Sequence, residues 1–190
     1  MIPLNLRDFF VSYGSYHNTT VNKLIHIICI PQIYFSLISL SKHWTTTRFN
    51  LFGFEVDYAF FFVMALMLFY IMIDVPTGLI YTVVYVGSWA LAENIWMQFK
   101  LEGKADQHFR IFLIQHMISW LCQFIGHGAF EKRNPALMDN ILLTLVAPDF
   151  VVIEILFYFG YKKSVQEECT KQINENLRIF HEERLKSQSA

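Results

Sequence analysis

Charge is what this sequence has least of. Asp, Glu, Lys and Arg make up 16% of its 190 residues, against about 25% in an average soluble domain. With 54% hydrophobic residues and 19 phenylalanines, that deficit argues against a water-soluble fold and for lipid as the solvent. A basic surplus is missing as well. The net charge of −1 argues against a nucleic-acid binder, which needs a strongly positive surface. The three cysteines, Cys29, Cys122 and Cys169, have no CxxC spacing and read as packing residues rather than disulfides or thiolate ligands. The amino-terminal stretch lacks a basic leader, an apolar block and a small-residue cleavage site. The first apolar segment is therefore expected to be retained and to act as the targeting signal.

What is present is a succession of five apolar segments. The first, Leu24 to Leu40, is short and interrupted by His26 and Pro31. The second, Leu51 to Ile73, contains FFFVMALMLFYIMI and is the strongest candidate for a span. The turn Asp74-Val75-Pro76-Thr77-Gly78 separates it from the third, Leu79 to Trp96, because Pro and Gly so placed punctuate helices. The fourth runs from Phe109 to Phe130 and the fifth from Ile141 to Tyr161. Crossing the hydrocarbon core takes about 20 apolar residues, which the second to fifth segments meet or approach. Basic residues in short loops mark the cytosolic side. Lys42, Arg48, Lys100, Lys104, Arg110 and six more after Tyr161 fall there if segment one enters and leaves on one side, with Lys132 and Arg133 opposite. The expected architecture is all-α: a polytopic membrane helical bundle of four full spans, a short, partly inserted first helix, and a polar C-terminal helix. It divides into a membrane-embedded domain, residues 1–161, and a polar cytosolic tail, residues 162–190. In that tail Val165, Cys169, Ile173 and Leu177 form one stripe of an amphipathic helix.

Seven histidines are present, and their placement carries the functional argument. His43, His108 and His181 fall in polar loops or the tail and read as ordinary surface residues. His17 precedes the first apolar segment, while His26, His116 and His127 lie inside segments, where ionisable groups face the bundle interior and mark function. In segment four, His116, Trp120, Gln123 and His127 share one helix face, which Glu131 extends. Gly126 and Gly128 flank His127 and allow close approach, and Asn134-Pro135 ends the segment. Asn22 shares a face with His26. Glu93, Asn94, Asp149 and Glu154 are expected to satisfy one another or line a wet cavity.

On a straight helix His116 and His127 stand about 16 Å apart, and His17 and His26 face the same problem. Ligands for one ion must then come from different helices. If segments one and four are antiparallel, His17 meets His127 and His26 meets His116; if parallel, the pairs exchange. A break at Gly126 or Pro31 gathers more ligands in one place. Two or more imidazoles with an open position suit iron and oxygen chemistry.

Two runs resemble a known family. Tyr16-His17, Asn22, His26 and Pro31 (YHNTTVNKLIHIICIP) resemble the amino-terminal motif of the small endoplasmic-reticulum 2-hydroxy fatty acid dioxygenases. The run from Trp120 to Leu137, through Gln123, Gly126, His127, Gly128, Glu131, Lys132, Arg133 and Pro135, resembles that family's second motif, continued by Asp139-Asn140. The Pro76-Thr77-Gly78-Leu79 turn also fits. The resemblance extends from about residue 5 to residue 160 and leaves out the polar tail.

The resemblance implies an iron(II)-dependent oxygenase of the endoplasmic reticulum membrane. Such an enzyme shortens a long-chain 2-hydroxy fatty acid by one carbon with molecular oxygen, in α-oxidation and phytosphingosine breakdown. Carried onto this chain, the Fe2+ ligands are His17, His26, His116 and His127. Glu131 and Arg133 are the candidate catalytic residues, Arg133 or Lys132 pairing with the substrate carboxylate. No two-histidine-one-carboxylate motif is evident locally, so 2-oxoglutarate-type chemistry is not expected. The rival readings are a non-enzymatic transporter or scaffold with a histidine-lined cavity, and a haem protein with two axial histidines.

Overall fold

The computed structural model describes residues 6–134 and 142–189. Pro135, Leu137, Asp139 and Asn140 of the second motif, and Ile141 at the head of the fifth segment, lie outside the described residues. The chain forms α1 (Leu6–Gly14), α2 (Thr20–Ser41), a hairpin of β1 (Phe49–Leu51) and β2 (Phe54–Val56), α3 (Tyr58–Ile73), α4 (Val75–Leu101) and α5 (Ala105–Ile125). A π-helical segment, Gly126–Glu131, continues α5. After it come α6 (Leu142–Tyr158) and α7 (Lys163–Ser189).

Among the described residues, three helices are long and apolar enough to cross a membrane: Thr20–Ser41, Val75–Leu101 and Ala105–Glu131. The pair Thr144–Tyr158 and Lys163–Lys186, bent by 118°, brings the number to four if counted as one span. The expected balance between the first two segments is thus reversed in length. The first segment is a continuous 22-residue helix that runs through Pro31. The second has 16 helical residues, about 24 Å long against about 30 Å of hydrocarbon. Residues Leu51 to Val56 belong to the same apolar run in the sequence, but they turn back in the hairpin, where Phe49 pairs with Val56 and Leu51 with Phe54. Phe52 and Gly53 both have positive φ, the requirement of a two-residue I′ turn.

Local chemistry sets the boundaries. Asp57 accepts from Phe60 N at 3.1 Å and caps α3. Asp74 caps α4, with Pro76 in its first turn, where a missing N–H costs nothing. A Cβ on Gly78 would meet the Ile71 backbone at 2.5 Å, so glycine is what lets α3 and α4 close as a hairpin. At the hairpin end, the fully buried Lys42 ammonium bonds Asp57 (2.6 Å) and Glu93 (2.9 Å), and Arg48 reaches Glu93 at 2.8 Å. Two cations and two carboxylates balance there, as buried charge requires.

The burial pattern is inverted relative to a soluble bundle. On α5 the buried residues include His108, Ser119 and Gln123, while Ile114, Met117, Ile118 and Leu121 are exposed. A polar inner face and an apolar outer one are what a lipid solvent selects. The α2 and α5 helices pack along their length, α3 packs on α4, and α1 is held between α6 and α7. The α7 stripe is its docked face: Cys169 and Ile173 are buried, with Val165 and Leu177 packed against the same core.

Candidate metal centre

Five residues without helical structure, Ser15 to Thr19, separate α1 from α2. This turn changes the geometry expected for the first two histidines. His17 lies in the turn and folds back over the first turns of α2, so its Nε2 is 3.0 Å from His26 Nε2. Distance along a straight helix therefore does not apply between them, because no single helix contains both.

The other nitrogen of each ring is already engaged. His17 Nδ1 is 2.7 Å from the Tyr13 carbonyl, and His26 Nδ1 is 2.8 Å from the Asn22 carbonyl. A carbonyl oxygen only accepts, so both Nδ1 atoms carry the proton and both Nε2 atoms present lone pairs. His17 and His26 are 2% and 3% exposed, which leaves no room for solvent between them. Burial first, and then the neighbouring His26 and His127, hold His17 well below the usual imidazole range and so keep it neutral. Two buried lone pairs 3.0 Å apart repel unless a proton or a cation lies between them. Tyr13 stacks flat on the His17 ring at 3.7 Å and fixes its plane.

The third ring arrives through the π-helical segment. Where α5 gives way to it, Gly126 lies so close to α2 that a Cβ there would collide with the Asn22 amide. His127 is buried, its ring centroid 4.6 Å from His17 and 5.0 Å from His26. Its Nδ1 is buried without a hydrogen-bond partner. One ligand atom from each of His17, His26 and His127 lies within 4.8 Å of the others, the only such metal-ligand group among the described residues. The donor set fits a divalent first-row metal: neutral imidazoles, two of them oriented by N–H bonds to backbone carbonyls as metal-bound histidines are.

Glu131 fastens this arrangement. Its Oε1 accepts from Asn18 N (2.9 Å), Thr19 N (2.8 Å), Thr19 Oγ1 (2.8 Å) and Asn22 Nδ2 (3.1 Å). Thr19 makes no side-chain cap of its own to α2. The carboxylate instead sits at the positive end of that helix and joins the π-helical segment to the His17 turn.

A family model described as 2-hydroxy-palmitic acid dioxygenase Mpo1-like matches residues 4–159. The chain belongs to the Mpo1-like family. It is 33% identical over 180 residues to the 2-hydroxy-palmitic acid dioxygenase MPO1 of Saccharomyces cerevisiae, covering 93% of this chain and 95% of the yeast protein. No solved structure matches it.

The two runs that carried the resemblance meet in space within the Mpo1-like fold: His17 and His26 with His127, Thr19 and Asn22 with Glu131, and Tyr16 with Arg133. The Arg133 guanidinium lies 3.6 Å from the Tyr16 ring centroid and 4.4 Å from that of Phe180, and donates to the Ser15 carbonyl at 3.1 Å. His116 is not brought to the cluster. The helices are antiparallel, but His116 faces Ser36, further along α2, rather than His26. Ser36 Oγ donates to the Ile33 carbonyl (2.9 Å), so it accepts from His116 Nδ1 (2.9 Å), while His116 Nε2 accepts from Trp120 Nε1 at 3.0 Å. Both ring nitrogens are used, and no lone pair is left for a metal.

His43 and His108 also depart from expectation. They form a pair, His43 Nε2 to His108 Nδ1 at 3.0 Å, and His108 is fully buried among Trp96, Phe99 and Phe112. Phe109 and Phe112, just after His108, were the signal that it opens an apolar helix and is not on a polar surface. Tyr13, four residues before His17, gives no signal in the sequence, because its contribution is a backbone carbonyl and a ring face. Lys23 and Glu154 pair at 2.7 Å, and Asp149 is fully buried.

Proposed function

We propose that this chain is a multi-pass membrane dioxygenase that shortens long-chain 2-hydroxy fatty acids by one carbon, using ferrous iron held by His17, His26 and His127. The observation that carries this reading is the confrontation of two Nε2 lone pairs at 3.0 Å inside a buried triad. The reaction class and the substrate class come from the family and from the yeast relative, both described as 2-hydroxy-palmitic acid dioxygenases. Iron bound there would supply oxygen activation and positions for the acid's carboxylate and 2-hydroxyl.

The chain's own residues do the rest. The Tyr13 and Asn22 carbonyls hold the two imidazoles in the tautomer that binds metal. Glu131 positions the His17 turn and the His127 segment against each other. Arg133, beside that segment, meets the carboxylate of the incoming acid. Burial of the triad excludes bulk water from the reacting atoms. The apolar outer faces of the helices give the acyl tail a route from the bilayer. Residues 1–161 serve as the membrane-embedded catalytic domain, residues 162–190 as a polar cytosolic tail, and the endoplasmic reticulum membrane as the location, with phytosphingosine breakdown as the process served. Because Arg184 and Phe180 lie against Lys132 and Arg133, those two share the tail's side and do not stand opposite it as the charge count expected.

The test is anaerobic reconstitution of detergent-purified protein with ferrous iron, followed by oxygen and a long-chain 2-hydroxy acid. The expected product is the acid one carbon shorter, with oxygen consumed. Protein that binds no iron and functions unchanged after His127→Ala would instead favour the transporter reading, and a Soret band would favour haem.

A further inference from the structure

The C-terminal helix lies beyond residues 4–159, the part matched to the family, yet it forms one wall of a cleft beside the triad. That cleft, of about 720 Å³, is lined by Gly128, Lys132, Arg133 and Asn134 from the end of the π-helical segment and by Phe180 and Arg184 from α7. Its volume is in the range of small-molecule sites. Three of its six lining residues are cations, and among the described residues no carboxylate lines it.

The backbone ties this cleft to the metal-ligating segment. Lys132 adopts a left-handed conformation, φ +52°, which a side chain with a Cβ rarely takes. The tight turn lets both the Lys132 and the Arg133 N–H groups bond to the His127 carbonyl, the latter at 3.3 Å. Arg133 is thereby swung back over the turn that carries His17, where Tyr16 and Phe180 hold its guanidinium between their rings. From the other side, Arg184 Nη1 donates to the Lys132 carbonyl at 3.2 Å. Two contacts anchor α7 in this position, Asn176 donating to Ser15 Oγ at 3.0 Å and Ile173 packing against Gly14.

We propose that α7 completes a carboxylate-docking vestibule outside the triad, in which Lys132, Arg133 and Arg184 together receive the headgroup of an acyl carboxylate before it reaches the histidines. The proposal rests on the dioxygenase reading for the identity of the acid, but not for the binding itself. Phe180 supplies an apolar floor beside the cations, which suits a headgroup that continues into a hydrocarbon chain. Arg184 belongs to the tail and so makes this tail a determinant of substrate capture rather than a solvated appendage.

The experiment measures binding of 2-hydroxyhexadecanoate and of its methyl ester to full-length, metal-free protein in neutral detergent. A catalytic assay of the iron-loaded protein runs in parallel. Two variants remove charge while keeping a polar side chain: Arg184→Gln, which retains an amide N–H donor, and Lys132→Asn, since asparagine tolerates the left-handed conformation. Thermal unfolding and gel filtration confirm that each is folded. The free acid is expected to bind more tightly than the ester, and each variant to weaken acid binding by about threefold to fivefold, as partly exposed charge pairs do, while leaving ester binding unmoved. In the assay KM rises and kcat holds. Acid and ester binding alike, or acid binding that both variants leave unchanged, would overturn the proposal. So would a result, in a further arm measuring binding to anionic phospholipid vesicles, that both variants weaken vesicle binding while leaving acid binding in detergent unchanged, which would make the patch a membrane-surface contact. If the protein has no dioxygenase activity but the acid-over-ester preference and its loss in the variants persist, the vestibule stands and the reading of the reaction falls.

Discussion

Two histidine pairs sit at opposite ends of the α2–α5 contact, and in each the ring nitrogens are 3.0 Å apart. They differ in what the remaining nitrogens do. At the His17–His26 end both Nδ1 atoms are committed to carbonyls, so two lone pairs face each other. At the His43–His108 end Nε2 faces Nδ1, and the other nitrogen of His108 is buried without a carbonyl partner that would fix its tautomer, so one ring can donate while the other accepts and the contact needs no ion. A third imidazole joins the first pair; aromatic rings surround the second. Separation alone therefore does not identify a metal centre. The backbone partner of the distal nitrogen decides whether two close histidines invite a cation or simply share a proton.

The strongest way to break this comparison is to remove one ring from each end. His26→Ala or His127→Ala is expected to abolish stoichiometric iron binding and to lower turnover by more than about 100-fold, since even neighbours of metal ligands cost about 10- to 100-fold. His108→Ala is expected to leave iron content intact. Metal analysis and product formation on the purified variants check both, and equal iron loss at the two ends would defeat the distinction.

Glu131→Ala comes next. It removes four hydrogen bonds to the His17 turn and α2, and metal affinity is expected to fall about 10- to 100-fold with the ligands themselves intact. Glu131→Gln, which keeps an acceptor but loses the charge, should fall between wild type and alanine. Competition with a ferrous chelator measures it.

Gly126→Ala tests the close approach that brings His127 to α2. The added methyl meets the Asn22 amide, and overpacking of this kind costs about 1–3 kcal/mol. A lower unfolding temperature in detergent is expected, whereas Gly128→Ala, whose Cβ would meet nothing, should change little.

The smallest effect is one of pH on the metal-free protein. His17 titrates well below 6.5 in the fold, because burial and then its neighbours His26 and His127 oppose its charge. The unfolded chain therefore takes up the proton first as pH falls. Stability should be independent of this group above pH 6.5 and decline below it, by up to about 1.4 kcal/mol per pH unit. Unfolding followed from about pH 7 to 5 checks it; no decline would mean that His17 carries its proton in the fold.

Much of this was legible in the residues. Low charge and long apolar runs gave a helical membrane protein, Asp74 to Gly78 marked the α3–α4 boundary, and the stripe through Val165 and Ile173 marked the docked face of α7. The inward polar face of α5 followed from periodicity. Segment lengths were less legible. Hydropathy cannot tell the apolar hairpin from the helix after it, and Pro31 reads as a break although α2 continues through it. The ligand set was legible only in part. His116, Gln123 and His127 look alike on a helical wheel, but His116 lies further along the α2–α5 contact, with Ser36 and Trp120 as partners, while His127 is carried by the π-helical segment.

By itself, then, the sequence determined which segments are apolar and that His26, His116 and His127 lie within them, though not the burial of His108, because the former follow from composition and from periods of a few residues. Only the tertiary structure decided that the turn at Ser15 to Thr19 folds His17 onto His26, that the π-helical segment brings His127 to the same two rings, and that Arg184 of α7 lines a cleft with Lys132 and Arg133. Those outcomes depend on contacts between residues far apart in the chain, such as Thr19 with Glu131. No local pattern encodes such contacts.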